Sequence, residues 1–144
     1  MDDVNAPAAD RPREACLVVE DDSIIRLDLE ETLRGFGFAL VIGAARADAA
    51  GRIAETARIC LAVLDFEVGH GANTLDLAEQ LVARGIPTVF LSAHGAALEL
   101  PPALAHLEVV AKPFASAQLA EALHRAIACA IAGRLGIPCE HLSG

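Results

Sequence analysis

Tyrosine and tryptophan are absent, methionine occurs once, and the only aromatic side chains are five phenylalanines. A surface that stacks bases on aromatic rings is therefore disfavoured. Positive charge is also scarce: 11 basic residues face 20 acidic ones, for a net charge of -9. A nucleic-acid binder needs a basic face, so that function is not expected either. The four cysteines, Cys16, Cys60, Cys129 and Cys139, form no C-x-x-C pair and no Cys-His cluster with zinc spacing. Cys16, Cys60 and Cys129 read as small buried hydrophobes in a reducing compartment. Cys139, near the end of the chain, is the one expected to be reactive. No run of 18 apolar residues exists, so no membrane-spanning helix is expected. The acidic start, Asp2-Asp3, lacks the apolar stretch of a signal peptide, and a cytoplasmic location is expected.

What is present is one domain's worth of chain, 144 residues, 54% of them hydrophobic. The mean hydropathy of +0.45 excludes disorder for most of it. That length buries a core without disulfide staples. Residues 1–13 lack periodicity and read as a flexible leader, 14–133 as the domain, and 134–144 as a short tail.

Five short apolar runs alternate with helical patterns. Ala15 to Val19 closes at Glu20-Asp21-Asp22, as a strand buried on both faces would. Ile25, Leu29 and Leu33 then recur at helical spacing until Gly35 and Gly37. Phe38 to Ile42 reads as strand two, and Arg46 to Thr56 as an alanine-rich helix. Ile59 to Leu64 is strand three, ending at Asp65; Phe66 to Ala72 reads as a loop. Asn73 is the expected cap of a helix that turns Leu77, Ala78, Leu81 and Val82 inward. Ile86 to Leu91 is strand four, ending at Ser92. Pro101-Pro102 forbids a long helix over 94–106, so a short or mobile fourth helix is expected. Leu107 to Ala111 is strand five, ending at Lys112-Pro113. Ser116 is the expected cap of a last helix with Leu119, Leu123, Ile127 and Ile131 inward.

Strand and helix repeated in this way demand a parallel sheet covered on both faces. Ligands of such sheets bind beyond the carboxyl ends of the strands. If strands one, three and four are neighbours, those ends gather several carboxylates, one hydroxyl and one ammonium. Crowded carboxylates raise one another's pKa unless a cation sits among them. Oxygen donors without cysteine or histidine select Mg²⁺ or Ca²⁺. The hydroxyl and ammonium would grip the oxygens of a phosphoryl group.

Four segments carry a resemblance: Leu17-Val18-Val19-Glu20-Asp21-Asp22, Leu61-Ala62-Val63-Leu64-Asp65, Val89-Phe90-Leu91-Ser92-Ala93 and Val110-Ala111-Lys112-Pro113-Phe114. In this order the set resembles the receiver domain of bacterial two-component response regulators, over about residues 15–132. The resemblance implies a flavodoxin-like strand order 2-1-3-4-5. It implies Asp65 as phosphoacceptor, Asp21 as direct Mg²⁺ ligand, Glu20 as a ligand through water, and the Glu67 backbone carbonyl as a further metal ligand. Ser92 and Lys112 match the hydroxyl and the lysine that hold the phosphoryl group, and the Lys112–Pro113 peptide should be cis. Asp22 falls in a variable slot outside that set. The implied protein is a phosphoacceptor rather than an enzyme with a turnover substrate. The implied partner is a histidine kinase or histidine phosphotransfer protein docking beside Ile24, Ile25 and Leu27. The face around residues 94–106 is where many receivers form homodimers.

Two positions depart from the family pattern. The loop after Asp65 reads Phe66-Glu67-Val68-Gly69-His70-Gly71, with an extra carboxylate near the site. Val109 stands where receivers usually carry an aromatic switch three residues before the lysine. A pseudo-receiver, with the fold but no regulated phosphorylation, is therefore the competing reading. For Glu20-Asp21-Asp22, an acidic helix start favoured by the helix dipole is the bland one. His70 and His94 flank the crevice and read as solvated loop residues. A small enzyme on a similar sheet is disfavoured, since neither a D-x-D motif nor a phosphate loop follows strand one.

Overall fold

A computed structural model describes residues 14–68, 72–95 and 98–136. The expected leader over 1–13, Gly69, His70 and Gly71, and Cys139 and His141 of the tail lie outside the described residues. The elements run β1 (Glu14–Val19), α1 (Ser23–Gly35), β2 (Val41–Ala44), α2 (Ala47–Thr56) and β3 (Arg58–Asp65). A small pair, β4 (Glu67–Val68) and β5 (Ala72–Asn73), follows, then α3 (Leu75–Ala83) and β6 (Thr88–Ser92). A 3₁₀ turn (Pro102–Leu104), β7 (Glu108–Ala111) and α4 (Ser116–Arg134) complete the order.

Five strands form one parallel sheet in the order β2-β1-β3-β6-β7. Counting only those five, this is the expected 2-1-3-4-5. Alternation along each strand sorts side chains onto two faces. Leu17, Val19, Ala62, Leu64 and Phe90 face one cluster with Ala50 and Ala54 of α2 and Leu77, Ala78 and Leu81 of α3. Cys16, Val18, Leu61, Val63, Val89 and Leu91 face the other, with Leu29 and Leu33 of α1 and Leu119, Leu123 and Ala126 of α4. Burial on both sides explains why the strands read as unbroken apolar runs. Each fully buried leucine contributes about 2 kcal/mol of transfer free energy.

Several local expectations need correction. Strand two begins at Val41, not Phe38. The Phe38 amide bonds the Leu33 carbonyl at 3.2 Å, so its backbone belongs to the turn that ends α1. The segment after Asp65 is not all loop, because β4 and β5 pair antiparallel through Glu67–Asn73 and Val68–Ala72. Asn73 therefore belongs to a strand, and the residue before α3 is Thr74. Ser116 lies inside α4; Ala115 precedes it, and Gln118 Oε1 accepts the Ala115 amide at 2.7 Å. Ile131 is half exposed rather than inward. Cys129 is disulfide-bonded rather than a free thiol, whereas Cys16 and Cys60 are free. The stretch between β6 and β7 holds, among the described residues, a single three-residue 3₁₀ turn, so the fourth helix is shorter than a regular one. No helix among the described residues is long and apolar enough to cross a membrane.

Candidate functional site

β1 and β3 are parallel neighbours, with Val19 opposite Leu64, so the residues that follow, Glu20 and Asp65, leave the sheet side by side. β6 lies beyond β3 and β7 beyond β6, which brings Ser92 and Lys112 to the same edge. The Lys112 amide donates to the Ser92 carbonyl at 2.9 Å, and the Lys112–Pro113 peptide is cis.

Lys112 is the one lysine of the sequence. Its Nζ lies 3.0 Å from Glu20 Oε1 and 3.0 Å from Asp65 Oδ2. Glu20 is 1% exposed and Asp65 6%, so neither carboxylate has much access to water. The second Glu20 oxygen accepts the Asp22 amide at 3.1 Å, and Asp65 Oδ1 accepts the Glu67 amide at 3.3 Å. Burial pushes the Glu20 carboxyl above its ordinary range, and the Asp65 charge adds to this. The Asp22 amide and Lys112 pull it back only in part. Burial alone would depress Lys112, but its bonds to Asp65 and Glu20 outweigh that and hold the ammonium above its usual value. The lysine therefore stays charged at neutral pH.

Carboxylate oxygens of Glu20, Asp21 and Asp65 lie within 4.8 Å of one another. Three carboxylates against one ammonium leave an excess of negative charge. Their donor atoms are all hard oxygens. Such a set fits Mg²⁺ or Ca²⁺ and not a thiolate- or imidazole-seeking metal.

Glu67 and Asp22 have other side-chain roles. The Glu67 carboxylate reaches His94, Oε1 to Nε2 at 2.9 Å, with both side chains 60% exposed. His94 is thus partnered rather than merely solvated, and its amide donates to Ser92 Oγ at 3.0 Å. Asp22 Oδ1 accepts the Ile24 and Ile25 amides at 2.9 and 3.1 Å, capping α1. Asp22 is therefore the helix-starting carboxylate of the acidic run.

Sequence reasoning missed two supports. Buried Thr74 donates its hydroxyl to the Asp65 carbonyl at 3.0 Å, fixing the backbone of the central carboxylate. Arg26, one turn into α1, donates Nη1 to the Glu20 carbonyl at 2.8 Å. Neither carries a local signal, because both bonds join groups whose meeting depends on the fold. A separate groove of about 440 Å³, lined by Pro87, Thr88, Leu107 and Arg125, opens at the other ends of β6 and β7; no site residue borders it.

No family model matches the chain. It is 26% identical over 122 residues to the phyllosphere-induced regulator PhyR of Methylorubrum extorquens, covering 83% of this chain. The chain spans 45% of that relative's length. Among solved structures, SdrG from Sphingomonas melonis Fr1 is 29% identical, with TM-score 0.68 over 81% of this chain and 97% of that one. A response regulator receiver protein from Sinorhizobium medicae is 26% identical, with TM-score 0.68 over 82% and 97%. The structural neighbours are response-regulator receiver domains, and the chain has the receiver fold.

Proposed function

We propose that this chain is a phosphoacceptor receiver that takes a phosphoryl group onto Asp65 from the phosphohistidine of a histidine kinase or histidine phosphotransfer protein. It then signals by protein contact, in the cytoplasm, through a unit spanning residues 14–133. The observation that carries this reading is Lys112, whose ammonium lies 3.0 Å from both buried carboxylates. An aspartate kept dry beside a permanent cation suits a nucleophile meeting an anionic phosphoryl group.

Glu20, Asp21, Asp65 and the Glu67 carbonyl would hold Mg²⁺, which supplies charge neutralisation at the phosphoryl oxygens when bound. The chain's own groups do the rest. An Asp65 oxygen forms the new bond to phosphorus while the bond from phosphorus to the donor imidazole nitrogen breaks, its electron pair leaving with that nitrogen. Lys112 is then freed from Asp65 to hold a phosphoryl oxygen. The Ser92 hydroxyl can donate to another while its oxygen keeps the His94 amide. Little covalent work is left for the protein beyond positioning and charge.

Backbone NMR tests this with Mg²⁺ followed by beryllofluoride, an acyl-phosphate mimic. Shifts at residues 20–22, 65–67, 92–95 and 112, absent in Asp65→Asn, are expected. Saturable Mg²⁺ binding with no response to the mimic would instead favour a pseudo-receiver acting as a constitutive binding module, a reading that Val109 supports.

A further inference from the structure

Cys129 is disulfide-bonded, and it lines the groove of about 440 Å³ at the ends of β6 and β7 opposite the carboxylates. The sequence holds four cysteines, and Cys16 and Cys60 are free. The cysteine left over is Cys139, in the segment Ile137-Pro138-Cys139-Glu140-His141-Leu142 that follows the described residues. We propose that Cys139 is the partner of Cys129 and that this bond seats residues 137–142 in the groove, as a cover released by reduction. The cover is independent of whether Asp65 takes a phosphoryl group.

Helix α4 ends in a way that sends the chain back toward Cys129. The Gly136 amide bonds the Gly133 carbonyl at 3.2 Å, and Gly136 has φ +76°, the left-handed conformation in which a chain turns away from a helix end. Pro138 cannot extend the helix further. Cys129 to Arg134 spans about 7.5 Å of helix, and Gly136 to Cys139 covers about 10 Å when extended, so the second sulfur has the reach to meet the first. Ala126 and Gly133 leave the helix surface low on either side of Cys129, which makes room for a second segment. Ile86 and Pro87 offer apolar surface to Ile137 and Leu142. On the rim, Arg125 is already paired with Glu108 at 2.9 Å. Arg134 donates Nη2 to the Gly85 carbonyl at 3.2 Å, a neutral acceptor, and its charge suits the Glu140 carboxylate. In a reducing compartment a disulfide is characteristically transient or sensing, which suits a releasable cover. Release takes two electrons and two protons from a dithiol, which becomes a disulfide itself. The Cys129–Cys139 bond breaks, both sulfurs become thiols, and the groove is bared.

The test uses the full chain, with Cys139→Ser as the variant that leaves the domain core untouched. After equilibration with oxidised glutathione, free thiols are blocked and the chain is cut with trypsin without reductant. Cleavage after Arg125 and Arg134 should release one linked pair, 126–134 with 135–144, from a chain of monomer mass, and dithiothreitol should separate it. Free or separately glutathionylated Cys129 and Cys139, a link to Cys16 or Cys60, or a link between two copies would overturn the pairing. Methyl NMR then tests the seat. On reduction the methyl groups of Val82, Ile86 and Leu107 should shift while those of Leu29 and Leu33 stay in place. Cys139→Ser should show the reduced positions with no dithiol added. A linked pair with unmoved groove methyls would overturn the seat. Groove shifts that vary with protein concentration would also overturn it, by giving the groove to a second copy of the chain.

Discussion

The connections that leave β3 and β6 start as neighbours and are built in opposite ways. After Asp65 the chain is fastened at once. Thr74 bonds back to the Asp65 carbonyl, β4 pairs with β5, and the Phe66 ring meets Phe90 edge-on at 5.8 Å. Helix α3 then buries Leu77, Ala78 and Leu81. Among the described residues after Ser92, the crossing to β7 holds only a 3₁₀ turn and one fully buried side chain, Leu104. The side carrying the candidate phosphoacceptor is thus held by many partners, and the side carrying the hydroxyl by few. Local stability follows the density of such contacts. A charge change at Asp65 would therefore be taken up in the connection after Ser92, which suits an output route that lacks the usual aromatic switch.

Removing the pin of the looser side should have the largest effect. Leu104→Ala should cost about 3 kcal/mol in urea unfolding, with amide exchange rising first over residues 98–107. Exchange rising equally along α3 would erase the contrast between the two connections. Gly95 comes next: its φ is +53°, and an added Cβ would lie 2.9 Å from the Ala111 Cβ. Gly95→Ala should cost about 1–2 kcal/mol, and chemical shifts at Ser92 and Lys112 should report the displaced turn. On the tighter side, Thr74→Val leaves the Asp65 carbonyl without its side-chain donor. A loss of about 1 kcal/mol is expected, with weaker beryllofluoride binding as the specific sign.

The last effect has the opposite direction. Glu20→Gln removes a buried charge and should stabilise the metal-free protein by about 1 kcal/mol while weakening Mg²⁺ binding by about tenfold or more. The pH dependence agrees in sign. Because the folded Glu20 carboxyl titrates above 4.5, the folded state keeps a proton that the unfolded chain has already lost. In the metal-free protein this group should therefore add stability as pH falls from neutral toward 4.5, and Glu20→Gln should flatten that rise. Lys112 contributes in the other range. Its raised pKa gives stability that is complete below 10.5 and is lost as pH climbs through the folded value.

Much of this was legible from the sequence because strands buried on both faces announce themselves as apolar runs, and the residues closing those runs are where the topology gathers chemistry. Glu20, Asp65, Ser92 and Lys112 all stand at such ends. The misplaced start of strand two shows the limit. Phe38 is apolar and follows a glycine, yet its amide is committed to the end of α1. Asn73 and Ser116 failed as caps for a related reason: a good capping residue type does not reveal whether its backbone is already paired, or whether a neighbour such as Gln118 does the work. Thr74, Arg26 and the Glu67–His94 contact were invisible because each partner lies on a different element and only folding brings them together.

The central claim is that Asp65 is the residue that receives phosphate. Intact-mass analysis of the full chain after incubation with phosphoramidate and Mg²⁺ tests it most directly. The account predicts a mass gain of one phosphoryl group that is lost in alkaline hydroxylamine, as an acyl phosphate should be, and is missing in Asp65→Asn and without Mg²⁺. An unmodified wild-type chain, or an equal gain in Asp65→Asn, would contradict it.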